Sequence, residues 1–293
     1  MLDYHVHLWP HGTRDRPPTV DELAGYCERA AARGVGQIAL TEHLFRFSRA
    51  REAVGEFWAG NGADRHLAGV MRAYWDEHAH ADLDVYVQAV LDAKAAGLPV
   101  LLGLEVDHYP GRMDAVARFL SGYPFDVLLG SVHWIGRWLF DWLEDPASAA
   151  EWGRRGIDAV WDAYTSCLEE LAASRTCDVL AHPDLVKITG RRPGPGPSAE
   201  FHARMAEAAR VSGMAAEVSS AGWRKPVEEA YPAPDLLARF HAAGVPVTLA
   251  SDTHGVGDVA FRSADLVEMV RGAGYSELAG YSGRRLHAVP LRP

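Results

Sequence analysis

The sequence predicts an α/β protein in which parallel strands alternate with helices, and three observations support this prediction. Short apolar segments recur along the 293 residues, and polar residues or Gly and Pro follow each of them. Longer segments with apolar residues at helical spacing lie between them. The apolar segments are nearly continuous, which is typical of parallel strands that helices cover on both faces.

Seven segments have the character of strands, and this number is compatible with two architectures. They span residues 1–7, 35–43, 98–108, 125–133, 177–184, 213–222 and 244–254. The helical segments span residues 19–34, 82–97, 150–174, 198–213 and 233–244, with Thr19, Asp82 and Ser198 as N-cap candidates. Seven strands favour a closed or nearly closed β/α barrel, while a doubly wound open sheet would show the same alternation.

The domain organisation follows from the lack of repeats and linkers. We expect a single domain over residues 1–293, because no internal repeat or interdomain linker interrupts the pattern. Residues from about 45 to 81 come after the second strand and are expected to be an insertion, partly helical. The sequence RRPGPGP at 191–197 is expected to be a loop between a strand and its helix.

Composition and charge restrict the class of partner. The formal net charge is -10, which argues against a surface for long nucleic acids or anionic membranes. The three cysteines, Cys27, Cys167 and Cys177, lie far apart, as in a reduced cytoplasmic protein. We find no signal peptide pattern and no apolar run of membrane-spanning length, and nothing specifies an oligomeric state.

Residues of the kind that bind metal ions stand at the carboxyl ends of nearly all predicted strands. Seven of the 14 histidines are at these positions, which is unlike a random distribution. The nine candidate ligands are His5, His7, His11, His43, Glu105, His133, His182, Asp252 and His254.

These residues are expected to meet because strand ends of a β/α barrel face one mouth, where active sites are built. Residues two apart in a strand point the same way, so His5 and His7 can bind one ion, and so can Asp252 and His254. Imidazole and carboxylate suit zinc, manganese or iron. Nine ligands are about the number that three ions need, with Glu105 bridging two of them.

The ordered set of motifs resembles the PHP (polymerase and histidinol phosphatase) family of metal-dependent phosphoesterases, and within it the histidinol-phosphate phosphatases. The matching stretches are HVH, TEH, GLEVD, YPFDVLLGSVHW, AHPDL, AGWRKP, YPAPDLL and ASDTH. The resemblance implies a distorted (β/α)7 barrel with three divalent ions, and the hydrolysis of L-histidinol phosphate in the cytoplasm. It implies that His5, His7, Glu105 and Asp252 hold one ion, that Glu105, His133 and His182 hold the second, and that His11, His43 and His254 hold the third. One departure is a loop between His7 and His11 that is shorter than in the family.

The mechanism expected for such a centre is attack on phosphorus by a hydroxide that bridges two ions, with no protein nucleophile. Arg224, just after the sixth strand, is the expected phosphate contact, with Lys225 and Lys187 as further cations. A surface arginine paired with Glu228 or Glu229 is the alternative interpretation of Arg224. Asp252 or His254 is expected to supply the proton for the leaving oxygen.

Recognition of the rest of the substrate is expected from the segment HWIGRWLFDW. Trp134, Trp138 and Trp142 would provide aromatic walls, and Asp141 a carboxylate, for a cationic imidazole and amine. A hydrophobic lid or core is the alternative role of the tryptophans.

Three other functions remain open at the level of sequence. A PHP-type phosphoesterase could act on another small phosphate ester or a nucleotide. An amidohydrolase or a TatD-like nuclease also begins with HxH, but the usual amidohydrolase bridge is a modified lysine, where this chain has Glu105. The third alternative is an inactive PHP domain or a metal-binding regulator.

Overall fold

Seven parallel strands form the centre of the molecule. The computed structural model describes residues 1–10, 16–59 and 64–291. In chain order these strands are β1 (Leu2–Val6), β2 (Gln37–Leu40), β3 (Val100–Asp107), β4 (Val127–Ser131), β7 (Val179–Leu180), β8 (Ala215–Ser219) and β9 (Val247–Ala250). They lie side by side in the sheet in this same order. The remaining described strands form two hairpins, β5 (Trp134–Ile135) with β6 (Trp138–Leu139) and β10 (Glu277–Ser282) with β11 (Arg285–Pro290).

The first and last strands of the sheet meet, which confirms a nearly closed, distorted (β/α)7 barrel rather than an open sheet. The His7 amide N–H donates to the Thr253 carbonyl oxygen at 2.8 Å, and Val6 and Thr253 form a parallel bridge. Asp3 adds a second connection, because its carboxylate accepts hydrogen bonds from the amide and the hydroxyl of Ser251 at 2.8 and 2.6 Å. The carboxyl ends of all seven strands therefore surround one mouth.

Most predicted helices are present, with differences at their ends. The helices are α1 (Val20–Ala32), α2 (Ala50–Val54), α3 (Ala68–His78), α4 (Leu83–Ala95), α5 (Met113–Leu120), α6 (Pro146–Arg155), α7 (Ile157–Ser174), α8 (Pro195–Ser212), α9 (Pro234–Ala242) and α10 (Ser263–Gly272). Thr19 forms a complete capping box with Glu22, and Asp82 accepts from the amides of Asp84 and Val85. Within the described ranges, no helix combines the length and the apolar character that crossing a bilayer would require.

Two predicted boundaries were wrong. The segment 150–174 is not one helix, because Gly156 has φ 74° and separates α6 from α7. Helix α8 begins at Pro195, inside the predicted loop, since proline is well suited to the first turn of a helix. Ser198 is therefore not an N-cap, and its hydroxyl donates to the Pro193 carbonyl oxygen instead.

The residues between β2 and α4 contain two helices, α2 and α3, that lie beside the barrel mouth. Two aromatic side chains that flank α2 pack against Trp134 on β5: the ring centroids of Phe45 and Phe57 lie 5.7 and 5.5 Å from that of Trp134. Arg112, which precedes α5, donates to the carbonyl oxygens of Ala53 and Val54. This region and the β5–β6 hairpin thus form one aromatic cluster over one side of the mouth.

The β10–β11 hairpin lies at the opposite, amino end of the strands. The Tyr281 hydroxyl donates to the Asp178 carbonyl oxygen, and the Arg284 guanidinium forms an ion pair with the Asp178 carboxylate at 3.0 Å. Asp178 directly precedes β7, so the hairpin covers the end of the barrel that is remote from the histidines.

We predict that Asp3→Ala destabilises the barrel by about 3 kcal/mol, because several buried donors lose a charged acceptor at once. Asp3 also accepts from the Ala260 amide at 2.8 Å, and the side chain is only 2% exposed. Urea unfolding of the metal-free protein measures this, with Asp258→Ala on the exposed loop as the control. Equal midpoints for the two variants would contradict the prediction.

Candidate metal centre

Eight of the nine candidate ligands lie in the described residues, and all eight come together at the barrel mouth. His11 lies outside the described residues. Six of the eight are nearly inaccessible to solvent, whereas the side chains of Asp252 and His254 are 16% and 24% exposed. The mouth is therefore open on the side of β9, where these two residues lie.

Four donor atoms converge on one point. The Nε2 atom of His5 lies 3.0 Å from Nε2 of His7, 3.2 Å from Oε2 of Glu105 and 3.8 Å from Oδ1 of Asp252. The Nε2 atom of His7 lies 3.4 Å from Oε2 of Glu105 and 3.6 Å from Oδ1 of Asp252. A tetrahedron of ligands about 2.0–2.1 Å from a zinc ion has edges of roughly 3.3–3.4 Å. The spacing of this first group, His5, His7, Glu105 and Asp252, therefore fits a metal ion.

A second group shares Glu105 with the first. The other carboxylate oxygen of Glu105, Oε1, lies 3.0 Å from Nε2 of His182 and 3.4 Å from Nε2 of His133. The two oxygens of Glu105 thus face two different sets of histidines. This is the arrangement expected of a carboxylate that bridges two ions.

A third set of imidazoles lies beside the first group. His7, His43 and His254 bring one nitrogen each within 4.8 Å of the others. The ring of His7 stacks on those of His43 and His254, with centroid distances of 4.4 and 4.3 Å. His43 Nδ1 is also 2.8 Å from Glu105 Oε2, so this set adjoins the bridging carboxylate.

The electrostatics favour anionic carboxylates at the centre. Burial raises the pKa of Glu105, but the neighbouring His43, His5 and His133 outweigh it and hold the pKa well below its usual range. Asp252 behaves in the same way, because His5 and His7 outweigh its burial and lower its pKa well below the usual range. Buried anions surrounded by imidazole nitrogens are suited to divalent cations.

Two of the candidate ligands have a left-handed backbone. His182 has φ 27° and Asp252 has φ 49°, which is uncommon for residues other than glycine. Arg224 holds the second of these turns, because its Nη2 donates to the carbonyl oxygens of Ser251 and Asp252 at 2.7 and 2.9 Å. Strained backbone of this kind is concentrated at functional sites, where it aims a side chain.

Carboxylates outside the ligand set orient the histidines through their other ring nitrogen. Asp107 Oδ1 lies 2.6 Å from His133 Nδ1, and Glu217 Oε2 lies 2.8 Å from His5 Nδ1. Such contacts fix the tautomer that leaves Nε2 available for a metal. Sequence reasoning missed Glu217. The sequence signal for it was that Glu217 is a single charged residue in the buried strand β8. A buried charge needs an ion-pair or hydrogen-bond partner.

The structure places Arg224 beside the centre. It does not pair with Glu228 or Glu229, the surface alternative, but with the backbone carbonyls that follow β9. Its other terminal nitrogen, Nη1, is buried and has no hydrogen-bond partner among the described residues. Lys225 follows on the same loop and is exposed. Burial raises the pKa of the Asp141 carboxyl, and the charges of His133 and Lys225 offset only part of this effect.

Lys187 has a different environment from that expected of a phosphate contact. Its ammonium is fully buried and lies 2.9 Å from Asp184 Oδ2 and 2.6 Å from Glu229 Oε2. It also donates to the Ala230 carbonyl oxygen at 2.7 Å. Its charge is committed to two carboxylates, so Lys187 connects the loops that follow β7 and β8.

Two of the three tryptophans expected as aromatic walls, Trp134 and Trp138, lie inside the aromatic cluster. The indole N–H of Trp134 donates to the His108 carbonyl oxygen, and that of Trp138 donates to the Ser148 carbonyl oxygen. Both rings are at most 1% exposed, as in the alternative core role. Sequence reasoning missed Tyr74 on α3, which lies in the same cluster. The ring centroids of Tyr74 and Trp142 are 5.3 Å apart.

Asp141 reaches the edge of the centre. Its Oδ2 is 4.0 Å from His133 Nε2, and its side chain is 22% exposed. Its Oδ1 is buried and has no hydrogen-bond partner within the described residues. An acceptor is therefore available beside the second group, on the side of the β5–β6 hairpin.

Comparisons with known proteins agree with this geometry. The family model described as the PHP domain matches residues 3–221. A curated protein of Deinococcus radiodurans, named "Probable histidinol-phosphatase", is 40% identical over 188 residues, which cover 64% of this chain and 70% of the relative. The crystal structure of histidinol phosphate phosphatase from Lactococcus lactis, complexed with zinc, L-histidinol and phosphate, has a TM-score of 0.70 at 20% identity and covers 98% of both chains. The barrel, the ordered ligand set and the family match together show that this chain belongs to the PHP domain family.

Proposed function

We propose that this chain is a metal-dependent phosphomonoesterase that hydrolyses L-histidinol phosphate to L-histidinol and phosphate. The observation that carries the proposal is Glu105, whose two oxygens face two separate groups of histidines at 3.0–3.4 Å. The substrate is suggested by the name of the Deinococcus radiodurans relative. The acidic balance of the chain also favours a small ester over long nucleic acids.

The residues present would hold up to three divalent ions, zinc, manganese or iron. His5, His7, Glu105 and Asp252 would bind the first, and Glu105, His133 and His182 would bind the second. His43 and His254, together with His11, would bind the third. Such ions supply Lewis-acid polarisation of the phosphoryl oxygens and make water more acidic.

The chain itself supplies the groups that bind and orient the ester. Arg224 Nη1 is a buried donor with no protein partner in the described ranges, and a phosphoryl oxygen would satisfy it. Lys225 adds a second positive charge on the same loop. Because Nη2 of Arg224 is held by two carbonyls, the guanidinium is fixed before substrate arrives.

Asp141 would bind the positively charged part of the substrate. Histidinol phosphate carries an ammonium group and an imidazole, and the free Oδ1 of Asp141 is an acceptor for either. Asp252 or His254, on the open side of the mouth, would supply the proton for the leaving oxygen.

Steady-state rates on a panel of esters test the proposal. L-histidinol phosphate is compared with an aryl phosphate, a sugar phosphate and a mononucleotide, each with added manganese or zinc. We expect kcat/KM to be highest for histidinol phosphate and to vanish on chelation. Comparable low rates on every ester would keep the phosphoesterase site and reject this substrate, and metal binding without turnover would reject catalysis.

We predict that Asp141→Asn raises the KM for histidinol phosphate about tenfold and leaves the KM for an aryl phosphate within about twofold, since one charge-assisted hydrogen bond is worth about 1.5 kcal/mol. The control is Glu144→Gln, which removes one charge from an exposed residue of the same segment. Equal effects on both substrates would assign Asp141 to the metal centre instead of to recognition.

A further inference from the structure

Glu217 is a buried carboxylate whose position no motif explains. It is the one charged residue of β8, and it is 0% exposed. In the sheet order β9 lies between β8 and β1, yet Glu217 Oε2 reaches His5 Nδ1 on β1 at 2.8 Å. The side chain therefore crosses the barrel interior beneath the first group.

The other oxygen of Glu217 contacts the backbone of His182, a residue of the second group. Oε1 accepts a hydrogen bond from the His182 amide at 3.2 Å. This amide belongs to the left-handed turn, φ 27°, that directs His182 Nε2 to within 3.0 Å of Glu105 Oε1. A backbone conformation that costs of order 1–3 kcal/mol persists only where its surroundings stabilise it.

We infer that Glu217 is a positioning residue that holds a ligand of each metal group at once, the ring of His5 through Oε2 and the backbone of His182 through Oε1. Among the described carboxylates outside the proposed ligand set, Asp107 and Asp141 form ion pairs with His133. Glu42 contacts His7 at 3.7 Å, together with the amides of Leu8 and Trp9. The inference rests on the proposed metal dependence and adds a residue to it.

The chemistry of the amide group makes Glu217→Gln a sharp test. A carboxylate offers an acceptor at both oxygens, whereas a carboxamide has one acceptor and one N–H₂ donor. Either the His5 ring N–H or the His182 amide N–H must then face another donor. Glu217→Asp keeps both acceptors on a shorter side chain and is the conservative variant.

The experiment measures metal affinity and stoichiometry by competition with a chromophoric chelator, without substrate. We expect Glu217→Gln to weaken binding about 10- to 100-fold and Glu217→Asp to lie between it and the wild type. The matched control is Asp126→Asn, at the other end of the barrel. Asp126 is also buried, and its two oxygens accept from the amides of Leu102 and Gly283. The Asp126→Asn variant should lose folding stability and bind metal with the affinity of the wild type.

The outcomes separate this inference from the proposed function. Wild-type affinity in Glu217→Gln, or equal loss in Asp126→Asn, would overturn the positioning role. If Glu217→Gln does not fold, Glu217→Asp decides: reduced affinity that excess metal restores to full occupancy supports the role, and wild-type affinity overturns it. A wild type that binds metal but does not hydrolyse histidinol phosphate would reject the proposed function and leave the Glu217 comparison valid.

Discussion

Glu105→Gln should lower kcat/KM by on the order of 10³-fold or more, on histidinol phosphate and on an aryl phosphate alike, because ions that stabilise the reacting phosphoryl group contribute several kcal/mol. Glu105 is 1% exposed, and each of its oxygens contacts at least two histidines. The amide removes the negative charge and one of the two acceptors. Both groups of ligands should therefore lose affinity together, and the bound metal should fall below the wild-type stoichiometry.

Metal content and turnover are measured on the same preparations. Glu151→Gln is the matched control, since Glu151 is also a buried glutamate with histidine and arginine partners, but it lies on α6. We expect it to keep full metal content and activity near that of the wild type. If Glu105→Gln retained both metal and turnover, the bridging role and the proposed mechanism would both be wrong.

The convergence of the candidate ligands could be predicted because it depends on a simple rule of topology. Once the apolar segments are taken as parallel strands, the rule that carboxyl ends share one mouth brings His5, Glu105, His182 and Asp252 together. No distance is needed for that step. That rule alone would also include His108, directly after Asp107, but successive strand residues point to opposite faces, and His108 pairs with Glu170 on α7 at 3.2 Å.

The partners of the orienting residues could not be predicted, since they depend on contacts between strands that are distant in sequence. Glu217 and His5 are 212 positions apart, and only the curvature of the barrel brings them together. The environment of Lys187 depends in a similar way on Glu229, which is remote in sequence. A lysine after a strand can bind phosphate, but here Asp184 and Glu229 surround it from two loops.

The tryptophans show a limit of composition as evidence. An aromatic segment beside a metal site predicts either a substrate wall or a core, and burial decides between them. Trp134 and Trp138 satisfy their indole N–H groups within the protein, which favours core packing. The ring of Phe45, which comes from the segment expected as an insertion, stacks on that of His43 with a centroid distance of 4.6 Å.

Arg224→Ala should lower kcat/KM about 10²-fold and weaken inhibition by inorganic phosphate to a similar extent, as expected for the loss of a charge-assisted contact of about 3 kcal/mol. For Arg224→Lys, we expect kcat/KM and phosphate inhibition to lie between those of the wild type and Arg224→Ala, or close to those of Arg224→Ala. The guanidinium uses Nη2 on two backbone carbonyls and presents Nη1 separately, whereas one ammonium cannot occupy both places.

The inhibition constant for phosphate distinguishes binding from folding in this series. Arg191 is exposed on a loop, so Arg191→Ala removes the same charge without a change at the mouth. This variant should keep the wild-type kcat/KM and the wild-type inhibition constant for phosphate. Because Arg224 also supports the left-handed turn at Asp252, its loss would weaken metal binding if that support were its main role. Full metal content with weak phosphate inhibition in Arg224→Ala therefore assigns the residue to the phosphoryl group. Reduced metal content with unchanged phosphate inhibition at saturating metal would assign it to the turn, and the phosphate contact would then have to come from Lys225.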